Sequence, residues 1–259
     1  METKRPLILV TNDDGIFAGG IRTLVEEMVH LGDVVVVAPD SAQSGMGHAV
    51  TIRDVLRVNE VGFDVAGVRA FACTGTPVDC VKLAVYRILD RRPDLLVSGI
   101  NHGANSSINV IYSGTMSAAV EGAVEGIPSI GFSLLDHSAL ADFNPSRKFV
   151  TKLAKSVIEH GMPKGSCLNV NIPKMPVDEL KGIKICRQAN GYWADAFDKR
   201  IDPMGGEYYW MSGKFINPDK GEDTDEWALE NGYISVVPTQ CDLTNHQLIG
   251  ELNQWDLEL

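Results

Sequence analysis

Two continuous apolar runs joined by one amphipathic segment constrain this chain more than any other feature. Residues 7–11 (Leu-Ile-Leu-Val-Thr) and 33–40 (Asp-Val-Val-Val-Val-Ala-Pro-Asp) are unbroken rather than alternating, as in strands buried on both faces. Between them, Ile21, Leu24, Val25, Met28 and Leu31 fall at helical spacing within residues 19–31, and Gly32 supplies a stop. A buried strand, a helix and a second buried strand make a βαβ unit, which builds a parallel sheet.

The alternation continues along the chain. Residues 51–58 and 65–75 predict β segments, the first partly exposed. Residues 76–89 predict a helix with Thr76 as N-cap, Pro77 in the first turn and Asp79 at N3. Residues 93–99 predict another buried strand and residues 113–126 another helix. Strands are expected near 128–135 and 167–173, with a helix over 146–161 between them. The character changes after about residue 187, where glycine, proline, charge and seven aromatics (Tyr192, Trp193, Phe197, Tyr208, Tyr209, Trp210 and Phe215) show no clean periodicity. So many aromatics must pack over the main domain or meet another subunit. Residues 223–232 predict a short helix capped by Asp223, and 233–239 a last strand.

Composition narrows the class of partner. At 259 residues the chain can bury a sizeable core, and no stretch approaches a membrane span. The N-terminus carries charge and only a short apolar run, which argues against a secretory signal and makes the cytoplasm the expected compartment. Five cysteines, odd in number and without a CxxC pair, are expected to be reduced thiols. A formal net charge of −11 disfavours nucleic-acid polymers and anionic membranes. It also means that an anionic ligand would need a local positive charge.

Asp13 and Asp14 supply the motive for recruiting one. They follow the first strand, and ligands bind at the carboxyl ends of strands in open α/β sheets. Two adjacent carboxylates there repel one another and lose hydration, a cost that a hard divalent cation offsets well. One aspartate capping a helix and the other solvated is the plainer alternative. The other strand tips decide against it, because their loops bring Ser44, Asn101 and Asn105, neutral oxygen donors among glycines, to the same crevice. Ser113, Gly114 and Thr115 then lead into a helix, where backbone N–H groups and two hydroxyls would meet a phosphate. No lysine or arginine occurs in residues 11–20, 39–50 or 98–120. His48 and His102 lie in two of these loops and are expected to be solvated or hydrogen-bonding rather than catalytic.

Familiar nucleotide motifs are absent. Gly15, Gly19 and Gly20 do not have the GxGxxG spacing, and no GxxxxGK[ST] occurs. The stretch TNDDGI is similar to the DxDGT strand end of haloacid-dehalogenase-like phosphatases, but Asn12 occupies the nucleophile's position, which disfavours a phospho-aspartyl intermediate.

Five ordered strings, LVTNDDGIFAGGI, VVVVAPDSAQSGMGHAVT, CTGTPVDCVKLA, PDLLVSGINHGAN and VIYSGTMSAAVEG, with TDEWALENGYISVVPTQCDLT near the end, resemble the SurE survival-protein family of metal-dependent 5′/3′-nucleotidases. The resemblance implies a Rossmann-like three-layer, mostly parallel α/β sheet over residues 1–186. It implies that residues 187–259 form an oligomerisation extension, a hairpin plus a helix and strand swapped within homodimers that pair into homotetramers. It implies a phosphomonoesterase acting on nucleoside 5′- and 3′-monophosphates and on short polyphosphate, with one Mg²⁺ or Mn²⁺ per subunit. Carried onto this chain, the metal ligands are Asp13, Asp14, Ser44 and Asn101. Asn12, Ser113, Gly114 and Thr115 would hold the phosphate, and Asp13, Asp14, Asn105 and Ser113 the catalysis. Ser106 and Ser107 replace the family's usual Leu-Gly, and Met116 and Ser117 its usual Val and small residue. Two routes stay open: attack by water, with Asp13 or Asp14 taking its proton, and attack by Ser113. A metal-dependent nucleotide-binding regulator without turnover is the competing class, which intact Asp13, Asp14, Asn101 and Ser113 disfavour.

Overall fold

The buried runs pair as their composition demands. In the computed structural model of the chain, which describes residues 5–257, β1 (Leu7–Thr11) lies parallel between β2 (Asp33–Pro39) and β5 (Leu95–His102). The first four residues of the charged N-terminus and the last two of the tail lie outside the described residues. Around this centre the sheet has nine strands in the order β3-β4-β2-β1-β5-β6-β7-β11-β8. The outer members are β3 (Val58–Val61), β4 (Arg69–Cys73), β6 (Ser129–Leu134), β7 (Ser166–Ile172), β8 (Ile183–Ile185) and β11 (Ile234–Gln240). Only β3 on β4 and β11 on β7 pair antiparallel.

Strand alternation sorts the core into two halves. Ile8, Val10, Val34, Val36, Leu95 and Val97 join Ile21, Leu24 and Met28 of α1 (Gly19–Met28) and Val150 and Ala154 of α4 (Arg147–His160) on one face. Leu9, Val35, Val37 and Leu96 meet Cys80 and Val81 of α2 (Pro77–Leu83) and Ala118 of α3 (Gly114–Val124) on the other. Three layers result, a Rossmann-like arrangement. The chain moves outward from β1 through β2 on one side and returns through β5 on the other, so a topological switch point opens at the carboxyl end of β1.

Capping follows the sequence at one helix and departs from it at another. Thr76 and Asp79 form a reciprocal capping box at α2, and Ser113 caps α3. At α5 (Asp225–Glu230) the N-cap is Thr224, not Asp223, because the Asp223 carboxylate is taken by Arg187 at 2.8 Å. Residues 51–57 form no strand; Thr51 hydrogen-bonds Asp79 through both its backbone N–H and its hydroxyl, which pins the segment to α2. The helix predicted over 76–89 loosens after Leu83 into a wider turn in which Leu89 N–H reaches Ala84 O at 2.9 Å. Beyond residue 187, β9 (Tyr192–Ile201) and β10 (Glu207–Ile216) form a separate two-stranded hairpin, while β11 returns to the main sheet. A short helix, α6 (His246–Leu252), buries none of its residues. Among the described residues no helix is long and apolar enough to cross a membrane.

Candidate active site

A cavity of about 410 Å³ opens beside the switch point, and its wall includes Asp13, Ser44, Asn101, Asn105 and Ser113. Among the described residues no lysine or arginine lines it. The loops after β1, β2 and β5 and the start of α3 therefore converge as the strand order requires.

Asp13 is 4% exposed, and burial pushes its carboxyl up to about 6; the Thr115 hydroxyl acts in the opposite direction and the neighbouring Asp14 charge adds to the rise. Asp14 is also raised by burial, opposed by His102, whose backbone N–H lies 3.3 Å from Asp14 Oδ2. Two carboxylates held beside one another at such a cost to their charged forms would be relieved by a cation. Gly114 permits the close approach of α3: a Cβ there would come within 2.6 Å of Asp13 Cβ and 2.9 Å of Oδ2. Gly20 does the same behind the site, where a Cβ would meet Ile100 O at 1.9 Å, and Gly15 turns the chain at φ +101°.

The neutral donors are fixed by their own hydrogen bonds. Asn101 Nδ2 donates to His102 O and Gly103 O, at 3.2 and 2.9 Å, which leaves Oδ1 as a free acceptor. Asn105 is embedded in an asparagine network: its N–H donates to Asn171 Oδ1 (2.7 Å), and its O accepts from Asn169 Nδ2 (2.8 Å). Its Nδ2 gives one hydrogen to Ser133 Oγ at 2.8 Å and keeps the other. Ser113 Oγ accepts from Met116 N–H at 3.0 Å, so its own proton is free for an anion.

Two sequence expectations land differently. Thr115 Oγ1 donates to Asp13 Oδ1, so this hydroxyl serves the carboxylate. Asn12 is 1% exposed and lies outside the cavity wall; its Nδ2 closes the turn onto Gly15 O at 2.9 Å, and its Oδ1 has no partner. His102 lines the cavity with its ring edge-on to Phe143 at 5.0 Å, and His48 instead hydrogen-bonds Glu121 at 2.9 Å.

The residues fit a hard cation. Asp13, Ser44 and Asn101 line the cavity, and Asp14, next to Asp13 but outside that wall, adds a second carboxylate, so the four offer two carboxylates, a hydroxyl and an amide oxygen, the donors of a hard cation; among the described residues no three His, Cys, Asp or Glu side chains cluster.

The far wall of the cavity was missed in the sequence. Trp193 and Phe215 are cross-strand partners at the base of the hairpin, with ring centroids 5.8 Å apart. Trp193 Nε1 donates to Asn109 Oδ1 at 2.8 Å, and Tyr112, His137 and Glu226 also line the cavity. Asp225 was also missed. Buried at 0% exposure, it accepts from the N–H groups of Ser107, Ala189 and Glu226 at 2.8, 2.9 and 2.8 Å, tying the loop after β5 to the start of the hairpin. Tyr192, Trp193 and Phe215 were visible as aromatics, but nothing in their spacing ties them to residues more than 80 positions away.

A Rossmann-like sheet with an oxygen-rich, cation-ready cleft at its switch point defines a class of α/β phosphate-handling proteins, and comparison with known proteins makes it specific. Residues 8–195 match the family model described as survival protein SurE, and the chain belongs to the SurE family. The 5′-nucleotidase SurE of Christiangramia forsetii is 63% identical over 258 residues, 99% of each chain. That of Flavobacterium psychrophilum is 61% identical over 98% of each. The crystal structure of the SurE protein from Aquifex aeolicus is 40% identical, covers 96% of this chain and 98% of its own, and superposes with a TM-score of 0.82.

Proposed function

We infer that this chain is a metal-dependent nucleotidase that hydrolyses nucleoside 5′-monophosphates to nucleoside and phosphate. The observation that carries the reading is a cavity lined both by Asp13, Ser44, Asn101 and Ser113 and by the aromatics Tyr112, Trp193 and Phe215. Its volume suits a small ligand, and its oxygen-rich and aromatic lining residues suit a phosphate and a flat base. The full-length relatives named 5′-nucleotidase SurE agree with it. Nucleoside 3′-monophosphates and short polyphosphate enter through the family resemblance and belong in the same assay.

Asp13, Asp14, Ser44 and Asn101 would hold one Mg²⁺ or Mn²⁺. When bound, such an ion polarises a phosphoryl oxygen and lowers the pKa of a water. Asn105 Nδ2, the Ser113 hydroxyl and the backbone N–H groups at the start of α3 face the phosphoryl oxygens and hold the charge that develops there. Asp13 or Asp14 orients the attacking water and takes its proton. The Ser113 hydroxyl has no base as a hydrogen-bond partner among the described residues, which favours water over Ser113 as the nucleophile.

The assembly belongs to the same proposal. Residues 192–216 and the tail beyond β11 act as an extension that contacts further copies of the chain, in a homodimer or homotetramer. An exposed hairpin carrying Phe197, Trp210 and Met211, and a seven-residue helix with no buried side chain, both need a surface to cover them. A cytoplasmic setting accords with five cysteines that are all free.

The test is phosphate release from a panel of nucleoside monophosphates with and without Mn²⁺. Release that requires the metal is expected, and Asp14→Asn should abolish it while leaving the folded state intact. Nucleotide binding without release under any metal would overturn the enzyme reading; unchanged turnover in Asp14→Asn would overturn the site.

A further inference from the structure

Glu121 lies on α3, seven residues beyond Gly114, and is 3% exposed. Packing at that position would be satisfied by an apolar side chain. A carboxylate there has lost its hydration and persists only with partners. It has two: Lys82 of α2 on Oε1, and His48 Nε2 at 2.9 Å on Oε2. Burial pushes the Glu121 carboxyl up, but the two donors outweigh it and hold it below the usual range.

The His48 bond matters because of where His48 sits. Residues 42–48 carry Ser44 between β2 and the following segment, without regular structure, and Gly45 and Gly47 take φ of +74° and +55°. On one side of Ser44 the loop is fixed by Gln43 N–H on Asp13 O at 2.7 Å. On the other side it has a longer backbone bond, Gly47 N–H on Tyr112 O at 3.2 Å, and then the His48–Glu121 contact. Among the described residues this contact is the only side-chain hydrogen bond linking residues 42–48 to the rest of the molecule. It ties the Ser44 loop to the helix that Ser113 caps and that Gly114 and Thr115 begin.

We propose that Glu121 is a positioning residue of this site: through His48 it clamps the Ser44 loop to α3 and so sets the place of the Ser44 hydroxyl beside Asp13. Lys82 balances the buried charge, which leaves His48 as the movable half of the clamp. The proposal rests on Ser44 serving as a metal ligand.

Titration of the chelator-treated full chain with Mn²⁺, with free Mn²⁺ read by paramagnetic resonance, tests it directly. Ser44→Ala measures the ligand itself. His48→Ala should raise the Mn²⁺ dissociation constant roughly tenfold, the low end for removing an outer partner of a metal ligand. Its melting temperature should stay within about 2 °C of the parent, as expected for a surface residue. His48→Gln, which keeps an N–H donor, should recover most of the affinity. Glu121→Gln should weaken binding in the same direction, and the double variant should be little worse than the worse single, because both changes break one link. If Ser44→Ala weakens binding while His48→Ala leaves it unchanged, or if the double variant is fully additive, Glu121 does not act through the loop. If Ser44→Ala itself leaves binding unchanged, the ligand reading fails and this inference falls with it.

Discussion

Thr115 shows how one side chain separates two roles that share a motif. Its hydroxyl donates to Asp13, so Thr115→Val, which removes the hydroxyl and little else, should weaken Mn²⁺ binding by about tenfold. A phosphate-binding role would instead raise KM for the nucleotide at saturating Mn²⁺, and a metal titration alongside steady-state kinetics distinguishes the two. Glycine positions divide just as sharply. Gly20→Ala forces a methyl against Ile100 O and should destabilise the protein by about 2–3 kcal/mol in urea unfolding. At Gly45 a Cβ would meet nothing within 4 Å, and only the left-handed backbone opposes it, so Gly45→Ala should cost about 1 kcal/mol. Asp13, Asp14 and Asn101 stood out in the sequence as candidate donors because an uncompensated carboxylate pair at a strand tip demands an explanation. Asn12 was less legible: its place in the string suggested phosphate, and its Nδ2 instead closes the Asn12–Gly15 turn.

At the scale of elements, the loop after β5 is held by a residue belonging to α5. Replacing Asp225 by alanine would strand the N–H groups of Ser107 and Ala189, both buried, at about 1–3 kcal/mol each. Asp225→Ala should therefore lower stability by about 3 kcal/mol and speed amide exchange at Ser107 and Ala189, with Asp225→Asn falling between. Exchange that quickens uniformly across the sheet would show a global loss rather than a released loop. The elements themselves were legible in proportion to how one-sidedly they are buried. β1, β2 and β5, buried on both faces, announced themselves as unbroken apolar runs, and α1 and α4 carried a clear apolar stripe. Residues 51–57 looked like a strand, but pairing is decided by what lies alongside, and there Asp79 takes the Thr51 N–H that a ladder would use. The hairpin gave no period at all because nearly every residue of β9 and β10 is exposed, and alternation appears only when one face is buried and the other is not.

For the molecule as a whole, that hairpin poses the largest question of scale. A two-stranded sheet with both faces open is marginal in water, yet β9 and β10 stay in register over ten residues each. Its base is secured by the Trp193–Phe215 pair, the Trp193–Asn109 hydrogen bond and Gly191, where a Cβ would strike Phe215 at 2.4 Å. Among the described residues no hydrogen bond ties its distal part to the rest of the chain, and Phe197, Trp210 and Met211 there are 64%, 60% and 72% exposed. Apolar surface of that extent is the face that the proposed contact between copies of the chain would cover. The register supplies a clean excision, since Asp195 faces Gly213. Joining Ala194 to Lys214 through a short glycine turn removes the outer seven of ten residues of each strand and keeps Trp193, Phe215 and the cavity wall. The shortened chain should retain its far-ultraviolet circular dichroism and Mn²⁺ affinity, because no proposed metal ligand lies within the excised residues. Its mass by light scattering should fall by half or more. An unchanged mass would assign assembly to another surface, the tail around α6 first. A lower mass accompanied by weaker nucleotide binding at unchanged Mn²⁺ affinity would mean that the assembled hairpins also steady the aromatic end of the cavity.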